Sequence, residues 1–389
     1  MIKSRKKIIR ITTVPISMEI LLKGQLRFMS RYFDVIGVTS NDQDKIDEIS
    51  SREGIPIIPI DMSRAITPFK DLIALYKLYK LFKEHKPDIV HTHTPKAGTL
   101  GMIASKMAGV PIRLHTIAGL PLLEANGGKR KLLDIVEKLT YACSTMIYPN
   151  SYELNKVIQG LRYTSVDKLH VIGNGSSNGI NTSYFDSKLF EHDSLVQLKN
   201  ELGIRSNDTT FIFVGRLVTD KGINELVKAF VDINKRNVDT KLILVGSYEV
   251  ELDALGSEIV SLIESNASII SVGFQNDVRP YLAISDVLTF PSYREGFPNV
   301  VMQAGAMGLP SIVTDINGCN EIVIEGENGL IIPVKNIDAL NKAMLTLLNS
   351  KETRETLKRN SRKMIIERFE QQYVWNELLK EYQKRLKHN

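Results

Sequence analysis

Cysteine is scarce in this 389-residue chain, with only Cys143 and Cys319 present. They stand far apart and lack metal-ligand spacing, which excludes a disulfide scaffold and suits a reducing compartment. No apolar run reaches the roughly 18 residues that a membrane-spanning helix requires. The opening MIKSRKKIIRITTVP has a basic head, but Arg10 breaks its apolar run. It therefore reads as a first buried strand and not as a signal peptide. GxxxxGK[ST] is missing, so this is not a P-loop protein, and no well-placed GxGxxG supports a dinucleotide fold. No zinc-finger, RNP-like or aromatic-interleaved basic segment is present, so no nucleic-acid partner is expected. These absences leave a water-soluble, cytoplasmic protein with access to small metabolites.

What is present is ordinary in bulk: 43% hydrophobic and 24% charged residues, as in a globular protein. The length calls for two or three domains. Charge is uneven, with 26 Lys/Arg against 16 Asp/Glu in residues 1–180 and 24 against 28 in residues 181–389. A basic front half attracts phosphates or anionic lipid headgroups, unless it is simply a solvated surface.

Short β-rich runs alternate with helical patterns along the whole chain. KIIRITTV, YFDVIGVTS, GIPIIPI, PDIVHTHT, PIRLHTI, TMIYPNS and KLHVIGNGSS read as strands of a first unit. Between them, DLIALYKLYKLFKEH places Leu72, Leu75, Leu78, Tyr79 and Phe82 on a helical stripe. After a soft boundary near residues 175–208 the pattern restarts with TTFIFVGRL, TKLILVG, ASIISVGF, DVLTFPS, PSIVTD and GLIIPV. Strand–helix–strand repetition argues for parallel sheets. The expected fold class is α/β, two doubly wound Rossmann-like domains with a cleft between them. The expected divisions are 1–180, 181–364 and a C-terminal crossover helix at 365–389.

Two segments of the second half carry the strongest chemistry. In FIFVGRLVTDKGINELVKAF a strand ends, Gly215-Arg216 follows, and Lys221 precedes a helix. Two cations beside free helix N–H groups suit a diphosphate, Arg216 as a fork and Lys221 as a point charge. The plain alternative is a solvated arginine and a turn lysine. In DVLTFPSYREGFPNVVMQAG, Glu295 precedes a helix beginning at Pro298 and Asn299, and Gln303 falls in its second turn. Glu295 accepts hydroxyl donors, while Gln303 both accepts and donates but cannot titrate, which favours binding over acid/base work. The alternative is an N-terminal helix acid and a surface glutamine. In the first half, Gly24 permits close backbone approach to a phosphate or serves a turn. His91 and His93 read as facing opposite sides of a strand, and His115 as facing the cleft or packing structurally. GNGSSNG at 173–179 reads as a rigid polar turn that is structural or lines the cleft.

The ordered combination VGRL…DKG and REGFPNVVMQAGAMGLPSIVTDINGCNEIV resembles the retaining, two-Rossmann GT-B glycosyltransferases of family 4. KGQLRF, KPDIVHTHTPKAGTLGMIASKMAGVPIRLHTIAGLP, EKLTYACSTMIYPNS and VIGNGSSNGIN resemble a subgroup serving bacterial capsule, O-antigen and exopolysaccharide synthesis. The resemblance implies sugar transfer from a nucleoside-diphosphate sugar with retained configuration, by a front-face route assisted by the leaving phosphate, with no metal and no other cofactor. Arg216 and Lys221 would hold the diphosphate and Gly24 would sit near its β-phosphate. Glu295 would bind donor-sugar hydroxyls, with the backbone of Phe297, Pro298 and Asn299 in the same pocket. Two positions depart from the family pattern. Gln303 replaces a ribose-binding glutamate, and Ala118 precedes Gly119 where many members carry histidine. The implied acceptor is a polyprenyl-diphosphate-linked saccharide at the inner membrane face. Lys3, Arg5, Lys6, Lys7 and the Lys77–Lys86 region are candidates for contact with anionic lipid. A nucleotide-sugar epimerase and an inactive carbohydrate- or nucleotide-binding module are the competing readings. Donor sugar, base, linkage and oligomeric state are left open.

Overall fold

The computed structural model describes residues 5–249 and 253–388. The chain divides into one unit of Met1–Asn178 with Gln372–Asn389 and a second of Gly179–Gln371. The first holds strands β1 (Lys7–Ile11), β2 (Asp34–Thr39), β3 (Ile57–Pro59), β4 (Ile89–Thr92), β5 (Ile112–Ile117) and β6 (Met146–Pro149). They form one parallel sheet in the order β3-β2-β1-β4-β5-β6. The second holds β7 (Thr209–Val214), β8 (Thr240–Val245), β9 (Ile269–Gly273), β10 (Val287–Phe290), β11 (Ser311–Thr314) and β12 (Gly329–Ile332). Its parallel order is β12-β11-β10-β7-β8-β9. In each sheet the winding reverses beside the first strand, between β1 and β4 and between β7 and β10. Ligand sites of doubly wound sheets lie outside the strand carboxyl ends at such a reversal.

Layering follows from the strand sequences. β7 reads TTFIFV and is buried along nearly its whole length, as a strand covered on both faces must be. The helix Ile223–Asn234 buries Ile223, Leu226, Val227, Phe230 and Ile233, the repeat of one helical face. In the first unit, Ile8 joins a core containing Leu378 and Tyr382 of the C-terminal helix. Ile9 and Ile11 join another with Leu78, Phe82 and Met102. Alternate residues of β1 thus serve opposite sides of the sheet.

Several expectations require correction. KLHVIGNGSS is not a strand; only Leu169 bridges Ile147 before the glycine- and serine-rich turn takes over. His91 and His93 do not face opposite sides: their rings lie 4.1 Å apart. The strand period is two, so residues i and i+2 share a face. The expected boundary at 364/365 falls inside the helix Lys351–Phe369, and the break comes at Glu370 before Gln371–Lys387. There Gln371 N–H bonds the Ile180 carbonyl and Ile180 N–H bonds the Phe369 carbonyl. The helix Pro68–His85 buries Ala74, Leu78, Leu81 and Phe82. Leu72, expected in its core stripe, is 65% exposed beside Phe69, at 87%. The rest of that stripe, Leu75, Leu78, Tyr79 and Phe82, packs against the core as expected, and only Leu72 turns to the exposed side.

Burial sets the protonation of three histidines in the first unit. His91, His93 and His115 are all buried. Desolvation holds His91 and His93 well below the usual range and lowers His115 to about 4. The folded state therefore binds fewer protons than the unfolded chain below about pH 6.5. This stability is complete above that pH and is lost as pH falls toward 4. Chemical denaturation at pH 7 and pH 5 is expected to show a loss on the order of 2 kcal/mol from His115 alone. Replacing His115 by Gln should remove its share of the dependence and leave that of His91 and His93.

Candidate active site

The second sheet reverses between β7 and β10, and the loops following these strands carry the expected residues. Tyr293 N–H donates to the Asp220 carbonyl at 2.8 Å. The Arg294 guanidinium meets the Asp220 carboxylate at 2.8 Å, and the Tyr293 hydroxyl meets Glu225 at 2.7 Å. These bonds stitch the two loops together and aim Lys221 at Glu295. Lys221 Nζ and Glu295 Oε1 form a mostly buried ion pair. Ser292 Oγ donates to the same carboxylate oxygen at 3.0 Å. Lys221 also lies 5.9 Å from the Phe290 ring centroid.

Glu295 is held by its backbone as well. Asn317 Nδ2 donates to the carbonyls of Glu295 and Gly296 at 3.1 and 2.7 Å. Gly318 follows with φ 76°, and a Cβ there would stand 2.6 Å from the Gly296 oxygen. The close approach and the left-handed backbone both require glycine. Thr314, the last residue of β11, donates its hydroxyl to the Ser292 carbonyl. Cys319 begins the next short helix, buried and unpaired with another cysteine. Burial, reinforced by the charge of Glu295, pushes its thiol well up, so it is an inert core group.

Arg216 follows Gly215 at the end of β7 and is half-exposed. Its Nη1 meets Glu249 Oε2 at 2.9 Å. The two expected cations are thus balanced by separate carboxylates. Pro298 is the N-cap of the helix Asn299–Ala306. Phe297 packs edge-on against Phe369 at 5.4 Å between centroids. Asn299 is exposed and Gln303 is half-buried on the helix.

Gly24 and His115 lie in the first unit. Gly24 has φ 77°, and a Cβ would stand 2.7 Å from the Trp375 ring. Its N–H donates to the buried Glu53 carboxylate at 2.9 Å, so a phosphate would have to displace that acid. His115 accepts or donates at Nδ1 with Thr92 Oγ1 at 2.8 Å, and its ring packs over Gly98. It borders a recess of ≈ 350 Å³ with Ala118, Gly119 and Glu137, whose carboxyl burial raises to about 7.

The sequence reading missed Glu249, Ser292 and Asn317. The last had a signal in Asn317-Gly318, a turn pair directly after β11. Glu249 had none, because the pairing depends on the separate path of the loop after β8.

Residues 197–364 match the family described as glycosyl transferases group 1. Residues 18–151 match glycosyl transferase 4-like. The chain is 33% identical over 383 residues to the capsular polysaccharide biosynthesis glycosyltransferase CapM of Staphylococcus aureus, covering 98% of each chain. It is 30% identical over 382 residues to UDP-Gal:alpha-D-GlcNAc-diphosphoundecaprenol alpha-1,3-galactosyltransferase of Escherichia coli, covering 94% of each. Among solved structures, Anabaena Alr3699/HepE in complex with UDP superposes with a TM-score of 0.82 at 18% identity. That match covers 97% of this chain and all of the other, and supports the shared GT-B architecture of two Rossmann-like domains. With both halves matched in order and the relatives spanned almost end to end, this chain belongs to the group 1, 4-like glycosyltransferases and is an enzyme of that family.

Proposed function

We propose that the protein transfers a sugar from a nucleoside-diphosphate sugar to a polyprenyl-diphosphate-linked saccharide in bacterial surface polysaccharide synthesis. The observation that carries this reading is the Lys221–Glu295 pair at the reversal between β7 and β10, with Arg216 on the same loop after β7. Relatives named for capsule synthesis and for a diphosphoundecaprenol-linked acceptor supply the substrate classes. In the proposed reaction Arg216 and Lys221 neutralise charge building on the leaving diphosphate, a task cationic side chains perform best when already positioned. Glu295 accepts a donor-sugar hydroxyl, Ser292 and Asn317 hold it in place, and Gln303 meets the ribose. The proposal takes configuration as retained, through a front-face departure and attack assisted by the leaving phosphate. It assigns no step to a metal ion.

A lipid acceptor requires the enzyme to work at a membrane surface. Among the described residues no helix is long and apolar enough to cross a membrane. The helix Pro68–His85 instead exposes Phe69, Leu72, Ile73 and Tyr76 beside the exposed Lys70, Lys77 and Lys80. Apolar anchors among lysines suit shallow insertion into an anionic leaflet. The proposal places the protein peripherally at the inner face of the cytoplasmic membrane.

The test is a panel of nucleoside-diphosphate sugars assayed against lipid-linked saccharides, with and without chelator. Anomer-retained product formed equally with chelator present is expected. Release of free epimerised sugar without acceptor, or donor binding without transfer to any acceptor, would overturn the reading. Gln303→Glu is expected to alter donor Kd severalfold with little change in Tm, since the new carboxylate keeps acceptor capacity but adds charge. An unchanged Kd would remove Gln303 from the ribose contact.

A further inference from the structure

The first sheet has its own reversal, between β1 and β4, and the side chains there are unusual. Arg10 lies in β1 opposite His91 of β4 and has no exposed surface. A buried guanidinium is costly unless an anion faces it. Among the described residues Arg10 has no ion pair. Its Nε donates to His93 Nε2 at 3.0 Å and its Nη2 to Gln25 Oε1, while Nη1 has no partner. The acids buried in this unit among the described residues are already engaged. Glu53 caps Gly24 and pairs with Arg52, and Glu381 accepts from Tyr148 and pairs with Arg385.

Because His93 Nε2 accepts from Arg10, the ring proton resides on Nδ1. Among the described residues that buried Nδ1 has no partner, nor does Ser177 Oγ; Asn150 Oδ1, also without one, is an acceptor and would face a proton-bearing oxygen. All three residues line one recess with Gln25, Thr116 and Tyr148. Gln25 is itself fixed, donating to the Ser177 carbonyl and Asn178 Oδ1, each at 3.1 Å. The recess has a volume of only ≈ 20 Å³. It has room for one oxygen and not for a sugar ring.

We propose that this recess is an oxyanion subsite, in which His93 Nδ1–H and the Ser177 hydroxyl receive one terminal oxygen of a phosphate or diphosphate while Arg10 supplies the buried positive charge. The rest of the phosphate would remain outside the recess. A charged acceptor shortens and strengthens such hydrogen bonds, and it supplies the counter-charge that Arg10 lacks. The inference extends the proposed transfer reaction to a phosphate contact in the first unit, yet its test does not depend on turnover.

The full-length chain carrying Arg216→Ala and Lys221→Ala, to silence the second-unit cations, is titrated with inorganic diphosphate by calorimetry. Measurable binding is expected, weakened at least tenfold by adding Arg10→Met. Ser177→Leu, which fills the recess without touching Arg10, should weaken binding equally and guards against an Arg10 variant that fails to fold. Competition by geranyl diphosphate would assign the subsite to a lipid-linked acceptor, and competition by uridine diphosphate to the donor. No binding in the parent double variant, or equal binding after Ser177→Leu, would overturn the proposal and leave a recess that holds only water. If binding holds but transfer to lipid-linked saccharides is never seen, the subsite stands and the proposed function fails.

Discussion

Lys221→Ala is expected to lower kcat/KM by roughly 10²–10³-fold, about 3–4 kcal/mol of transition-state stabilisation. Lys221 sits where the loop after β7 meets the loop after β10, and its charge is mostly shielded from water. Removing it takes away one of two cations proposed to meet the leaving diphosphate. It also leaves Glu295, held by Ser292 and Asn317, as an unbalanced carboxylate in the same place. A second penalty therefore adds to the first. Lys221→Ala with Glu295→Gln should consequently lose less than the two single changes combined, because the double variant has no orphaned charge. The orphaned carboxylate should also lower stability, and the double variant should recover most of that loss. Turnover retained within twofold in Lys221→Ala, measured at subsaturating donor, would refute the placement of the diphosphate.

The second large effect concerns membrane contact. Replacing Phe69 and Leu72 together by Glu is expected to weaken binding to vesicles containing anionic lipid by at least about 30-fold. Each side chain contributes on the order of 1.5–3 kcal/mol when fully removed from water. Both are exposed in the protein, so the substitutions remove no core packing. The neighbouring lysines should make the remaining binding fall with added salt. Transfer to a water-soluble acceptor analogue should be unchanged, while transfer to the lipid-linked acceptor should collapse. Equal vesicle sedimentation of both proteins would exclude this helix as the contact surface.

Much of this molecule is legible in its sequence because burial on both faces of a parallel strand leaves a continuous apolar run. Strands such as TTFIFV and TKLILV announce themselves in that way. The restart of the pattern in the second half reveals two units. Arg216, Lys221 and Glu295 are found early because charged residues directly after buried strands are conspicuous, and the two loops do bring Lys221 to Glu295. The helix Pro68–His85 shows a limit: the repeat places Leu75, Leu78, Tyr79 and Phe82 against the core, but Leu72, near the helix start, stays exposed beside Phe69. His91 and His93 show another. Their spacing already placed them on one face, and that rule, correctly applied, predicts the neighbouring rings.

Element type, their alternation and the identity of the charged loop residues belong to the sequence alone, since local periodicity and chain order determine them. The partners of those residues were decided only by tertiary structure. Glu249 for Arg216, Asn317 for the Glu295 backbone and Glu53 for Gly24 are each supplied by chain 22 to 33 residues distant. Arg10 is the clearest case. In sequence it merely interrupts an apolar run, whereas strand pairing places it inside a sheet against His93 and Gln25, with no carboxylate among the described residues to balance it. Hydrogen bonds and ion pairs depend on distance and direction in space, and loop paths and sheet order set those.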